Sequence, residues 1–405
     1  MKHHMVLVLE LLACVAVSSS VVVLAGQDEL VFDTVYTSTR KVTCISVGEQ
    51  SVWVGTEGGC LRWDPKVPAG AKYTAMDGLP ANHVVGIAPG PDPQTVIIAT
   101  AEGIKAFLDR RGKLTPVPDF SPQVGRASAL ASASGEVYVA VGRQVHVLQP
   151  LAVGFRWVPA GPELAAEARS LTHFEGVAWA GTGNGLFRLD AQRWEPVIHS
   201  EDPLAAQINA LLPTNGDLCV GTVGGLFRMR AGRWRQFTTA DGLPDNHVTA
   251  LFADGDRIIV GTYGGGVAAL RADAIEPIAG APAYVTALDV CQISGAIWLG
   301  TEQEGTWLCE RGNWSRQLAR AEPPGHNITA LAASEGEILV GTFEQGVGVL
   351  RDNAWRAFGT VHGLGSEWIN HIAYGHNRVW ARTQPETCSH TVPGRGARLP
   401  PVMAY

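Results

Sequence analysis

The stretch from Val220 to Leu251, VGTVGGLFRMRAGRWRQFTTADGLPDNHVTAL, decides the fold. An apolar run ends in Gly221-Thr222, and the paired glycines Gly224-Gly225 lead into a second apolar run. After a turn comes the polar, alternating RWRQFTT, and the stretch leaves through Asp241-Gly242-Leu243-Pro244. Short alternating runs bounded by Gly, Asp and Pro read as antiparallel strands joined by tight turns. The same element recurs as VWVGTEGGCLRW from Val52, VAWAGTGNGLFRL from Val177, LCVGTVGGLFRM from Leu218, IIVGTYGGGVAAL from Ile258, IWLGTEQEGTWL from Ile297 and ILVGTFEQGVGVL from Ile338. Degenerate copies are VIIATAEGIKAFL from Val96, VYVAVGRQVHVL from Val137 and VWART from Val379.

The repeated glycine or its stand-in falls at Gly55, Ala99, Val141, Gly181, Gly221, Gly261, Gly300, Gly341 and Arg382, in steps of 44, 42, 40, 40, 40, 39, 41 and 41 residues. A period near forty with four strand-like pieces per copy is the signature of a propeller blade. The first two strands of each copy are continuous Val, Ile, Leu and Ala runs, as befits strands buried on both faces, while the outer strand alternates. In the Gly-Thr step, glycine lets neighbouring sheets approach closely and threonine favours extended backbone. The expected fold is therefore all-β, a single β-propeller of nine four-stranded antiparallel blades, with eight blades as the alternative. Ring closure is expected through VFDTVYTST from Val31, whose Tyr36-Thr37 matches the outer-strand pairs Tyr73-Thr74 and Phe237-Thr238. That strand would complete the C-terminal blade.

Around this core the boundaries read as an export signal over residues 1–26, a propeller over 27–383 and an irregular tail over 384–405. Lys2, His3 and His4 precede an apolar stretch, and small residues allow cleavage after Ala25 or Gly26; an uncleaved anchor is the alternative. The 405 residues are 46% hydrophobic and 17% charged, with 47 glycines. Thirty-one basic against 38 acidic side chains give a formal charge of -7, which argues against nucleic acid as a partner. Beyond the signal lie Cys44, Cys60, Cys219, Cys291, Cys309 and Cys388. Cys44 with Cys60, and Cys291 with Cys309, fall on first and third strands of one sheet, about 10 Å apart at the usual strand spacing. A disulfide does not span that distance, so buried free thiols are expected. Two tryptophan series, Trp53, Trp179, Trp298 and Trp380, then Trp194, Trp234, Trp314 and Trp355, read as packing between blades.

VWVGTEGGCLRW, YTAMDGLPANHV from Tyr73 and the opening stretch from Val220 together resemble the two-component regulator propeller repeat, found in extracytoplasmic sensor regions of bacterial hybrid histidine kinases. The resemblance extends over roughly residues 30–383. It implies a propeller that perceives an external signal, often carbohydrate, and passes it to a kinase. The sequence holds no kinase or response-regulator pattern, so the expectation is a sensor-like or binding propeller with a separate sensor kinase as a possible partner.

In propellers, the loops from fourth to first strands and from second to third strands emerge on one face around the central opening. The first class supplies Asn82, His83, Asn246, His247, His326, Asn327, Trp368 and His371; the second supplies Asn184, Tyr263, Glu302, Phe343 and Glu344. Converging amides, imidazoles, acids and aromatics suit a saccharide or peptide ligand. The competing reading is local: Asp-Gly-Leu-Pro is a turn in its own right, and Asn satisfies turn amides. A metal centre from His83, His247, His326 and His371 is disfavoured, because their repeats are mostly not neighbours and ligands must meet at one ion. No metal or other cofactor is expected. Nucleophile-elbow, zincin, Walker and dinucleotide motifs are missing, and the glycine runs lie between strands rather than before a helix. The resulting expectation is an exported, monomeric, non-enzymatic binding propeller in the periplasm, at the cell surface or outside the cell. The alternatives are a polysaccharide hydrolase or lyase using Glu302 and Glu344, or a scaffold engaging an envelope protein through exposed outer strands.

Overall fold

The computed structural model describes residues 21–24, 32–391 and 403–404, save 49–50, 65–69, 91, 93, 111–112, 119–124, 134, 152–154, 198–199, 215, 291–294, 318–323, 326, 335–336, 353, 363, 365, 376–377 and 384–386. Most of the expected export signal therefore lies outside the described residues. Nine four-stranded antiparallel sheets follow one another along the chain, spanning 42–73, 84–116, 127–159, 168–197, 208–237, 248–277, 285–317, 328–358 and 369–404. These are the first to ninth sheets below. The all-β class and the nine-fold repeat are as the sequence implies. No described helix is long and apolar enough to cross a membrane.

The chain divides into two compact units, one of residues Thr39–Ala319 and one combining Met1–Ser38 with Arg320–Tyr405. The first holds seven sheets, whose first strands lie side by side in sequence order, and the first strand of the seventh sheet packs in turn on that of the first. Each of the seven junctions carries its own apolar cluster, so every sheet is covered on both faces. At the closing junction, Ala287 and Trp298 of the seventh sheet meet Val42, Val52, Val54, Leu61 and Trp63 of the first. Polar contacts reinforce it: the Val47 N–H donates to Asp289 Oδ2 at 2.7 Å, and the Gly305 N–H donates to the Arg40 carbonyl at 2.8 Å. In the second unit, the eighth and ninth sheets share a cluster around Leu339, Val347, Ile369 and Ile372.

The repeat glycine sets the spacing at these junctions. A Cβ placed on Gly55 would lie 2.6 Å from Cγ1 of Val84, the first strand residue of the next sheet. The same collision would occur at Gly181 with Ile208, at Gly221 with Val248, at Gly261 with Val285 and at Gly341 with Ile369. Gly300 meets Val42 in the same way, at 2.3 Å. Two junctions use a different pair, because Ala99 faces a cluster containing Ala127, and Ala140 one containing Ala168. Where the glycine gains a methyl, its β-branched neighbour has lost two or more, which preserves volume in a close-packed interior. The stand-in in the third sheet is thus Ala140 and not Val141. Val141 pairs with Ala127 in the place where Thr100 pairs with Val84, so it occupies the threonine position.

In seven of the nine copies the repeat threonine closes the turn between second and third strands. Thr56, Thr100, Thr182 and Thr222 donate through Oγ1 to a glycine carbonyl three residues on; Thr262, Thr301 and Thr342 donate four residues on. The same oxygens accept a turn N–H, as Thr222 does from Gly224 at 3.0 Å. All seven side chains are buried. The role is hydrogen bonding within the hairpin, beyond the extended preference read from the sequence.

The expected closure by a shared terminal sheet is corrected by the pairing. Phe32–Tyr36 pairs with Val21–Leu24, and the ninth sheet takes all four strands from Ile369 onward. The tail from 384, read as irregular, contributes Thr387–Thr391 and Met403–Ala404 to that sheet; its β-branched threonines favour strand even without the Gly-Thr element. Cys44, Cys60, Cys219 and Cys309 are free, and burial pushes the Cys219 thiol up to about 12. Trp53, Trp179 and Trp298 are buried, while Trp194, Trp234 and Trp314 pack on the inter-sheet clusters.

Two outcomes follow from these contacts. Gly300→Ala is expected to cost about 1–3 kcal/mol through overpacking, and adding Val42→Ala should recover part of that loss, giving a coupling of at least about 0.5 kcal/mol in a denaturation double-mutant cycle. Strictly additive losses would mean that the seventh and first sheets do not touch. Thr222→Val keeps the side-chain shape but leaves the Gly224 N–H without its acceptor, and should lower unfolding free energy by about 1–3 kcal/mol.

Candidate functional site

At one end of the seven-sheet ring, the residue before the first strand lies beside the turn between second and third strands in five of the sheets. The N–H groups of Glu57, Ala101, Val223, Tyr263 and Glu302 donate to the carbonyls of Lys41, His83, Gln207, His247 and Tyr284 at 2.9–3.2 Å. Backbone hydrogen bonds therefore fix this axial rim, and the side chains on it are left to vary. Three groupings result.

The first is ionic. Lys41 Nζ lies 3.1 Å from Glu57 and 3.0 Å from Glu302, bridging the first and seventh sheets. Although partial burial opposes the charge, the two carboxylates hold the Lys41 ammonium above its ordinary value. Glu302, a sequence candidate, is thus committed to an ion pair.

The second is aromatic. The His247 and Tyr263 rings stack at 5.1 Å with 29° between planes, and Tyr284 meets Tyr263 edge-on at 5.3 Å. Tyr263 is 39% exposed and Tyr284 51%, so large ring faces remain open to solvent. Tyr284 also adopts φ of 55°, a left-handed conformation that a bulky side chain rarely takes. Such backbone costs about 1–3 kcal/mol and concentrates at functional positions. Burial is the main cause that pushes His247 below its ordinary value, with Asp245 opposing it, so the stacked imidazole is neutral at pH 7.

The third is a cavity of about 460 Å³ lined by the second, third and fourth sheets. His83, Arg126, Glu167, Arg169 and Asn184 supply its polar groups, beside Val85, Ala127 and Ala168. Ser128, also on the wall, donates its hydroxyl to the Ala168 carbonyl at 2.8 Å and so fastens two sheets together. Gly183 is bare where Arg169 passes: a Cβ there would lie 3.0 Å from the guanidinium. His83 is held below its ordinary value, chiefly by burial.

The remaining sequence candidates have other placements. Asn82 and Asn246 accept the N–H groups of Ala75 and Thr239 at 2.8 Å, bracing the Asp-Gly-Leu-Pro turns whose capping boxes are Thr74 with Asp77 and Thr238 with Asp241. Their side chains serve the turn. Asn327, Phe343, Glu344, Trp368 and His371 belong to the other unit. There the Phe343 N–H donates to the Asn327 carbonyl at 3.0 Å, and the Phe343 and Trp368 rings lie 4.3 Å apart. Glu344 and His371 are exposed, and His326 lies outside the described residues. Among the described residues no cluster of three His, Cys, Asp or Glu side chains could hold a metal. Lys41, Arg126, Glu167, Arg169 and Tyr284 were missed by sequence reading. Four of the five directly precede a first strand, a position that the repeat register marks although no residue type recurs there.

Neither a family model nor a curated protein sequence matches the chain. Solved structures do. The chain is similar to PorZ, an essential surface component of the type-IX secretion system of Porphyromonas gingivalis, at 13% identity and a TM-score of 0.62 over 90% of this chain and 52% of that one. It is similar to an ancestral GH74 enzyme at 14% identity and a TM-score of 0.65, over 90% of this chain and 62% of that one. A third similarity is to the extracellular domain of BT4673, assigned to a hybrid two-component system of B. thetaiotaomicron, at 16% identity and a TM-score of 0.54, over 92% and 52%. The chain spans about half the length of PorZ and of the BT4673 domain. At these identities the similarity establishes the fold, a β-propeller shared with the extracellular region of a two-component system.

Proposed function

We propose that the chain is an exported, sensor-like propeller that binds a saccharide at the axial rim of its seven-sheet ring and carries out no chemistry on it. The observation that carries this reading is the exposed aromatic group of His247, Tyr263 and Tyr284, held in place at the expense of a left-handed tyrosine. Flat aromatic faces pack against the C–H faces of sugar rings, and neighbouring polar groups orient hydroxyls, which is how a preformed site gains both affinity and direction. Export is supported by the kind of region in which similar propellers occur, an extracellular domain and a bacterial surface component. The hydrolase alternative asks Glu302 to act as an acid, base or nucleophile. Its engagement with Lys41 favours a structural role instead.

A panel of neutral β-glucan, xylan and arabinan oligosaccharides, screened by glycan array and followed by calorimetry, tests the proposal. Saturable binding is expected for at least one, with Tyr263→Ala and Tyr284→Ala each weakening it about threefold to tenfold, the value of one aromatic contact. Unchanged affinity in both variants would remove the rim from consideration, and release of new reducing ends would replace binding with catalysis.

A further inference from the structure

Several arginines of this chain are held in ion pairs. Arg62 pairs with Asp109, Arg143 with Glu163, Arg188 with Asp190, Arg228 and Arg230 with Asp217, Arg257 with Asp254, Arg271 with Asp256 and Arg351 with Glu337. Arg126 and Arg169 share the rim cavity, both are exposed, and neither makes an ion pair among the described residues. The chain carries seven more acidic than basic side chains, so two guanidiniums lining one cavity stand out against the bulk charge.

The rest of the wall supports the same chemistry. The Asn184 amide lines the cavity and belongs to the turn after Thr182, on whose Oγ1 its backbone N–H rests at 3.0 Å. A neutral His83 imidazole offers one further N–H. Ser128 has spent its proton on Ala168, and Glu167 is the one carboxylate on the wall. Donors therefore outnumber acceptors, and the two arginines come from adjacent sheets, Arg126 ahead of the third and Arg169 within the fourth. Guanidinium forks match planar or tetrahedral oxyanions through paired N–H···O bonds, and Arg is favoured over Lys wherever that geometry matters. A volume of about 460 Å³ suits a ligand of one or two sugar rings.

We propose that this cavity is an oxyanion-recognition site, in which Arg126 and Arg169 together hold the carboxylate, sulfate or phosphate group of a small acidic ligand while Asn184 and His83 bond its neighbouring oxygens. The site stands apart from the aromatic group on the sixth and seventh sheets and does not depend on saccharide binding there.

Calorimetry of the full chain at low ionic strength tests it with four probes: digalacturonate, N-acetylglucosamine 6-sulfate, inorganic phosphate and neutral galactobiose. At least one anionic probe should bind saturably with unit stoichiometry, and which one binds identifies the oxyanion. Galactobiose should not compete. Arg126→Gln and Arg169→Gln should each weaken binding at least tenfold with the unfolding midpoint unchanged, whereas Arg193→Gln, an exposed outer-strand change, should leave it within twofold. Three results would overturn the proposal: no saturable binding by any anionic probe, affinities in both cavity variants within twofold of the parent, or an equal loss in Arg193→Gln, which would mark a diffuse charge effect. Loss of the aromatic rim in Tyr263→Ala leaves the prediction intact, so the two sites fail or stand separately.

Discussion

One contact repeats through this molecule and governs the rest: a bare glycine Cα on a second strand, pressed against a β-branched side chain opening the next sheet. It fixes how close two sheets come. Because Gly300 finds in Val42 the same partner that Gly221 finds in Val248, the seventh sheet seats against the first as any sheet seats against its successor. Each sheet in Thr39–Ala319 then has both faces covered, and the ring needs no terminal sheet with an open apolar face. The alanine pairs in the second to fourth sheets show that the requirement is for combined volume, and that glycine is one of two ways to meet it.

The rim inherits its order from this packing. First strands run side by side, the residues ahead of them gather at one end, and the threonine-closed turns are tied to them by main-chain hydrogen bonds. Position is supplied largely by backbone and by buried hydroxyls, and side chains on the rim divide by chemistry. An ion triad bridges the closing junction, a strained aromatic group precedes it in the ring, and an arginine-rich cavity lies opposite in the order of sheets. Outside the rim, Arg62 and Arg228 sit at matching third-strand positions and pair with acids of the following sheet, Asp109 and Asp273, which fastens the outer parts of two junctions.

Much of this was readable from residues alone. The Gly-Thr element, its period and the continuous apolar strands lead to four-stranded sheets because burial on both faces leaves its mark on composition. Closure was not readable: Val42, Ile328 and Ile369 are equivalent in pattern, so nine copies can be counted without learning which of them meets the first. Ala140 was misplaced by one residue because neither it nor Val141 is glycine, and register is visible only in pairing with Ala127 and Ala129. Site residues divide the same way. Tyr263 and His83 announced themselves as polar or aromatic groups beside a motif, whereas Arg126 precedes a degenerate copy and Arg169 lies within a first strand, where no motif marks it. Asn82 and Asn246 were over-read, since an asparagine after Gly-Leu-Pro completes the turn that precedes it.

The central claim is that seven sheets close on themselves without help from the rest of the chain. Expression of residues Thr39–Ala319 alone, followed by thermal unfolding under circular dichroism, tests it directly. A soluble monomer with a strand-rich spectrum and one cooperative transition is the predicted result. A segment that aggregates, or melts without a transition until residues from Arg320 onward are restored, would contradict it.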